Sequence, residues 1–259
     1  MSPNTTINHL NKQITAIGNP FTELIEVSST NNYAIDKIQA NLAVHGTTFF
    51  AHSQTAGRGQ RGKKWMTEPC NNIILSSIIN TSSLSLQQQF SFSVAIALGC
   101  ADFFASYAGV ETSIKWPNDI YWRDRKAAGL LIENTIRGHQ WQWSVVGIGV
   151  NINQTSFDPT LKNPVSLKQI TGITFNPVAL AKELCNFLEF RFQELLNGKQ
   201  NFQLESYNNR LFKKNERVKL KKENVIHECI ISGVNQFGEL IVEGIHQESF
   251  AFGEVEWIL

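Results

Sequence analysis

Neither sign of charge dominates this chain: 23 Lys and Arg stand against 22 Asp and Glu, a formal net charge of +1. Electrostatics alone therefore gives no case for a nucleic acid or a membrane surface as partner. Cysteine is sparse. Cys70, Cys100, Cys185 and Cys229 are scattered, with no C-x-x-C pair and no Cys/His cluster, which argues against a zinc module and reads as buried free thiols in a reducing cytoplasm. The six histidines are dispersed and form no H-E-x-x-H, so a metalloprotease is excluded. The start, "MSPNTTINHLNKQITAIGNPF", lacks a basic n-region and an apolar h-region, so no signal peptide is expected. No apolar run approaches a membrane span. The expectation is a cytoplasmic protein.

What is present is a globular profile. The chain has 259 residues, 42% hydrophobic and 17% charged, enough for one large domain and a small one. Cap residues followed by Tyr33, Ile35, Ile38 and Leu42 predict a helix over about residues 31–42. "TTFFAHSQ" and "NNIILSSIINT" read as strands. "SLQQQFSFSVAIALGCADFFASYAG" is a long helix ending at Gly109, apolar enough to be largely buried. "KAAGLLIENTIR" and "WQWSVVGIGVNIN" form a hairpin around Arg137-Gly138-His139-Gln140. In "NPVALAKELCNFLEFRFQELLNG", Asn176 is the N-cap, Pro177 opens the helix and Gly198 stops it. Its stripe of Leu180, Leu184, Phe187, Leu188, Phe192 and Leu195 belongs to a core. From about Phe212 short alternating strands suggest a small antiparallel barrel attached to an α+β domain.

"QTAGRGQRGKKW", Gln54 to Trp65, matches two nucleotide motifs and is neither. Gly57, Gly59 and Gly62 spell the dinucleotide fingerprint, but no helix follows: "KKWMTEPCNN" is polar, carries Pro69 and runs into a strand. The ATPase phosphate loop needs Ser or Thr after its lysine, and Lys64 stands there. The composition still carries meaning. Glycines permit close approach of the main chain, successive N–H groups can form an anion nest, and Arg58, Arg61, Lys63 and Lys64 add positive charge. A solvated basic turn is the alternative.

Three further stretches favour the anion site. "IKWPNDIYW" sets Lys115, Asn118 and Asp119 at one turn shaped by Pro117, groups suited to a phosphate, a hydroxyl and a magnesium ion. "DRKAAGLLIEN" places Lys126 at the head of a strand with Gly129 after it. "GIGVNIN" puts Gly147 and Gly149 inside an apolar strand, where glycine is otherwise unfavourable, then Asn151 and Asn153.

In order, "SSTN", "QTAGRGQRGKKW", "KWPNDIYW", "DRKAAGLLIEN" and "GIGVNIN" closely resemble the motifs of biotin protein ligases (biotin–[acetyl-CoA-carboxylase] ligases). The resemblance runs from about residue 25 to the C-terminus. It implies an α+β fold with a mixed central sheet packed by helices, of the class II synthetase type. A catalytic domain over residues 1–211 and an SH3-like barrel over residues 212–259 would follow. It implies two steps: biotin and ATP, with Mg2+, give biotinyl-5′-AMP and pyrophosphate, and the adenylate then acylates a lysine of a biotin carboxyl carrier domain of a carboxylase. The residues agree in lacking an activated Ser or Cys nucleophile, so positioning and charge neutralisation would carry catalysis.

Residue by residue, the resemblance assigns Ser29, Thr30 and Gln54 to the ureido end of biotin, and Gly57 and Arg58 to the biotin and phosphate loop. Lys126 would be the main catalytic cation, touching both the biotin carboxylate and the α-phosphate, with Arg58 and Asp119 beside it. Gly129 and Leu131 would wall biotin's tail, and Gly147 and Gly149 would pack under biotin. Arg61, Trp65, Lys115, Asn118, Asp119 and Asn151 would serve ATP, with Asn151 facing the adenine and Asp119 also the magnesium ligand.

Two departures stand out. Gln60 occupies a position where many members carry a second arginine; the expectation is that Arg58, Arg61 or Lys63 takes over its hold on the adenylate. Only some twenty-odd residues precede "EVSSTNN", too few for the winged-helix domain of family members that repress transcription, so no DNA binding is expected. Monomer and homodimer stay open. The nearest rival is a lipoate or octanoyl transferase of similar fold; a non-catalytic biotin or nucleotide sensor is a second.

Overall fold

A computed structural model describes residues 15–258, so most of the stretch read for a signal peptide lies outside the described residues. The strands are β1 (Phe21–Val27), β2 (Thr48–Gln54), β3 (Ile73–Asn80), β4 (Thr112–Lys115), β5 (Asp119–Trp122), β6 (Arg125–Arg137) and β7 (Gln140–Val150). They form one sheet in the order β1-β2-β3-β7-β6-β5-β4. The β1–β2 pair is parallel and the others antiparallel, giving the expected mixed sheet.

Helices cover the two faces unequally. On one face lie α2 (Gln89–Ala108), α4 (Pro177–Leu196) and α5 (Gln200–Asn209); the short α3 is Leu167–Thr171. The α2 helix is apolar nearly all round, and its residues from Phe92 to Phe104, Ser93 and Asp102 apart, are buried against the sheet and α4. By length and composition Leu86–Ala108 could cross a membrane, which corrects the reading that no run approaches a span. Here its apolar surface is spent on the core. The α4 caps agree with the sequence: Asn176 accepts from the Val178 and Ala179 amides, and Gly198 takes φ +78°. Its stripe is buried except for the half-buried Phe187.

Among the described residues the other face carries only α1 (Thr30–Gln39), slightly shorter than predicted. It packs Ala34 and Ile38 on Phe49, Ile78 and Val145. Side chains alternate along β7: Val146, Ile148 and Val150 join the main core, while Val145 lies under α1. Gly147 and Gly149 share the Val145 face by the same alternation, and beyond α1 that face stays open. The cleft forms there.

The β6–β7 hairpin turns through Gly138 (φ +61°) and His139, as predicted. The C-terminal segment makes a second antiparallel sheet of β8 (Arg217–Lys222), β9 (Val225–Val234), β10 (Leu240–Glu243), β11 (Ser249–Phe250) and β12 (Glu256–Ile258). Their order is β11-β10-β9-β8-β12, with no closed ring among the described residues. This is consistent with the expected SH3-like unit. Cys100, Cys185 and Cys229 are buried free thiols, but Cys70 is exposed. It follows Pro69 in a left-handed turn (φ +63°) that turns it outward, which corrects the reading of four buried thiols.

Candidate active site

Strand register builds the floor of the cleft. Pairing aligns Ile74 with Gly149, Gly149 with Gly129, Gly129 with Asp119, and Asp119 with Lys115. One row therefore crosses five strands and ends in a carboxylate and an amine. The next row runs Ser76, Gly147, Leu131, and the next Ile78, Val145, Glu133. Close approach explains the glycines. A Cβ at Gly147 would lie 2.1 Å from Asn31 Oδ1, and one at Gly149 would lie 2.3 Å from the Trp65 indole.

A bulge aims the central cation. Ile120 pairs with Ala128 but Tyr121 pairs with Lys126, so Ala127 is passed over. That extra residue reverses the alternation of β6 and brings Lys126 onto the Gly129 face. Its Nζ reaches 2.7 Å from Asp119 Oδ1 and lies 5.7 Å from the centre of the Trp65 ring. The Lys126 backbone is clamped from outside the sheet: its N–H donates to Asn163 O, and Val165 N–H donates to its carbonyl.

Above the floor, Gln54–Trp65 leaves β2 as a small hairpin. Gly59 N–H donates to Lys63 O and Trp65 N–H to Gly57 O, while Arg58 bridges Lys64. Gln60–Gly62 make a short helical turn with Arg61 at φ +55° and Gly62 at φ +75°. Trp65 lies on the glycine floor, and Arg61 packs its guanidinium against Gly253 of the C-terminal unit. Both terminal nitrogens of Arg58 are engaged, by Glu133 at 2.7 and 3.1 Å and by Asn32 at 2.5 Å.

The polar end sits at the start of α1. Ser29 caps that helix, and Ser29, Thr30 and Asn31 are buried. The Thr30 N–H donates to Gln54 Oε1 at 2.7 Å, and Ser76 Oγ donates to Asn31 Oδ1. Across the cleft, Asn118 Nδ2 donates to Leu130 O, and Trp116 Nε1 reaches Gly238 O at 2.9 Å. Lys115 donates to the Tyr121 hydroxyl at 3.2 Å and lies over the Tyr121 and Trp257 rings. Burial lowers its pKa to about 8; Asp119 opposes the shift, and Lys126, Lys63 and Lys162 add to it.

The glycine floor, Lys115, Asp119, Lys126, Arg58 and Trp65 line one cleft of about 750 Å3. Every candidate residue from the sequence lines it except Gly57, whose Cα packs under the Trp65 carbonyl. Asn151 is present but occupied, its amide shared between Lys126 O and Val165 O. Sequence reasoning missed Tyr121, the segment with Phe157, Leu161 and Lys162, and the C-terminal Phe252 and Trp257. The only available signals were the turn pairs Asp158-Pro159 and Asn163-Pro164. The indole N–H groups of Trp65 and Trp257 are buried without acceptors. Leaving such a donor unpaired costs about 1–3 kcal/mol.

Among the described residues no group of three His, Cys, Asp or Glu could hold a metal. Asp119 is a single carboxylate already paired with Lys126, so the residues do not fit a resident metal centre. Burial pushes the Cys100 and Cys185 thiols up to about 12, which makes those two poor nucleophiles.

The family model described as "Biotin/lipoate A/B protein ligase family" matches residues 23–151. A bifunctional ligase/repressor BirA of Bacillus spizizenii is 31% identical over 173 residues, 66% of this chain and 53% of that protein. A biotin–[acetyl-CoA-carboxylase] ligase of Paracoccus denitrificans is 34% identical over 160 residues, 60% of this chain and 65% of that protein. The chain thus matches over about half the length of the first of these relatives. In structure it is similar to a biotin protein ligase from Aquifex aeolicus in complex with biotin and ATP, with a TM-score of 0.77 and 21% identity over 92% of this chain and 98% of that one. At that identity the likeness establishes the fold.

Proposed function

The chain belongs to the biotin/lipoate A/B protein ligase family, and on that premise we propose that it is an ATP-dependent biotin protein ligase. The observation that carries the reading is the row Gly149, Gly129, Asp119, Lys115 with Lys126 turned onto it. A flat glycine floor takes an apolar ring and chain, and its polar end presents two amines to anions. The cleft has room for biotin beside a nucleotide.

Adenylation brings a carboxylate to an α-phosphate. The carboxylate oxygen forms a bond to phosphorus, the bond to the β-phosphate oxygen breaks, and pyrophosphate leaves. The barrier is mainly repulsion between anions, so a fixed cation between them is the central device. Lys126 fills that place, with its amine held by Asp119 until substrate arrives. Lys115 and Asn118 serve the nucleotide; magnesium would come as part of the nucleotide substrate, neutralising its phosphates, and Asp119 would be the one carboxylate to hold it. Ser29, Thr30 and Gln54 meet the ureido end through groups already ordered around the α1 cap. In the second step the acceptor lysine's amine forms a bond to the acyl carbon, AMP leaves with the bonding oxygen, and the amine loses a proton. The acceptor is a biotin carboxyl carrier domain. In this reading residues 1–211 are the catalytic part and residues 212–259 the small SH3-like unit, which lends Phe252 and Trp257 to the cleft.

A panel of biotin, lipoate and octanoate with ATP tests the reading. Pyrophosphate release is expected with biotin alone; release with lipoate or octanoate instead would make the chain a lipoate-type ligase. Lys126→Ala is expected to slow adenylation about a hundred- to thousandfold. A variant as active as the wild type would remove Lys126 from its role.

A further inference from the structure

Glu133 lies next to the cleft without lining it. It stands on β6, on the face of Gly129 and Leu131 and paired with Val145. Two segments converge on its carboxylate: Arg58 of the hairpin donates through both terminal nitrogens, and Asn31 Nδ2 donates at 2.8 Å. Asn32, the next residue of α1, accepts from the same guanidinium. Asn31 in turn donates to Leu131 O and sits over Gly147. One carboxylate thus ties together the helix start, the hairpin and the floor.

The hairpin needs such a tie. From Gly57 to Trp65 it carries Arg58, Arg61, Lys63 and Lys64 and no acid, so its charges repel one another. Its residues Arg61 to Lys64 are exposed, leaving Trp65 as its main apolar anchor. A forked Arg–carboxylate pair fixes a plane as well as a distance, which a single ammonium contact does not.

We propose that Glu133 is a positioning residue that acts through Arg58, and that this pair seats the hairpin over the cleft before ligand binds. The Arg58 guanidinium is then chiefly an anchor. Phosphate contact from the hairpin passes to Arg61, Lys63 and the main-chain N–H groups. This assignment rests on the ligase reading for its kinetic consequence, but the seating itself does not depend on it.

The test combines amide exchange with kinetics on Glu133→Gln, Glu133→Asp and Arg58→Gln in the full chain. In the absence of ligand, Glu133→Gln and Arg58→Gln are expected to speed exchange of the Gly59 and Trp65 amides, while amides of β3 and β7 keep wild-type rates. Both variants are expected to raise KM for biotin and ATP about ten- to a hundredfold with kcat changed far less. The double variant is expected to be no worse than either single one, and Glu133→Asp to recover part of the loss. Unchanged hairpin exchange in Glu133→Gln would overturn the proposal. So would a kcat loss in Arg58→Gln that Glu133→Gln does not share, because Arg58 would then act on the reactants directly. A wild-type chain that adenylates nothing refutes the ligase reading, while the exchange result still decides the seating.

Discussion

The Lys115–Asp119 turn and the Gly57–Trp65 hairpin both line the cleft, and both were legible as polar stretches between strands. Their anchoring differs. The turn is locked by packing: Trp116 is buried and bonded to Gly238 O, Tyr207 beneath it reaches Pro117 O, and Asn118 is bonded twice to Leu130. The hairpin is held by one indole on a glycine floor, the Arg58–Glu133 fork and the contact of Arg61 with Gly253. Turns tied into the core open only with much of the fold, whereas segments with few apolar contacts open at low free energy. The proposed ligase, which would admit two substrates and release a modified protein, would use both kinds, a fixed electrostatic floor and a movable cover.

Among the further substitutions that separate the two segments, the largest effect strikes the seat of the cover. In Gly149→Ala the new methyl would lie 2.3 Å from the Trp65 indole, so the ring must leave the floor. We expect KM for biotin to rise about tenfold or more, since small misplacements at a site of this kind are costly. An unchanged KM would show that Trp65 does not seat the hairpin. Next comes the lock on the turn. Trp116→Phe removes the donor to Gly238 O and should lower unfolding free energy by about 1–3 kcal/mol, measured by urea denaturation, with ligand affinity largely kept. A loss of affinity with no loss of stability would reverse the assignment of fixed and movable parts.

A smaller effect comes from pH. Lys115 has its pKa lowered to about 8 by burial, so its positive charge fades as pH rises past 8. We expect KM for ATP to climb a few-fold between about pH 7.5 and 9.5, and Lys115→Arg to flatten that climb because arginine stays charged. The stability effect has the opposite sign. Between about 8 and the ordinary value of 10.5 the unfolded chain holds a proton that the folded one has lost, so this group favours folding more as pH rises through that window. The smallest effect is expected at Gln60. If Arg61 and Lys63 hold the adenylate, Gln60→Arg slows release of biotinyl-AMP by less than about threefold, roughly the effect of one exposed charge. A large slowing would mean that retention without an arginine there is weak.

Sequence and structure diverge at particular residues. The glycines at 129, 147 and 149 were legible because glycine is out of place in an apolar strand, and Lys126 because it heads one. The bulge at Ala127 that turns Lys126 inward was not legible, since a one-residue slip leaves no mark on the hydrophobic pattern. Glu133 carries no local signal of its role, which only the meeting of the hairpin and the α1 start at its carboxylate shows. Trp257 and Phe252 read as barrel residues, yet they close one side of the cleft. The polar tie of Asn151 to Lys126 O and Val165 O depends on a loop with no strong local pattern. Local chemistry was readable; contacts between units far apart in the chain were not.

The central claim is that a fixed floor and a movable cover make and hold an acyl-adenylate. A single-turnover experiment tests it most directly: the chain is mixed with biotin and ATP labelled at the α-phosphate, passed through a desalting column, and then given a carrier domain. The account predicts one pyrophosphate released per chain, label retained with the protein as biotinyl-AMP, and label freed as AMP when the carrier lysine becomes biotinylated. Pyrophosphate release without biotin, or label that stays on the protein after the carrier is added, would contradict it.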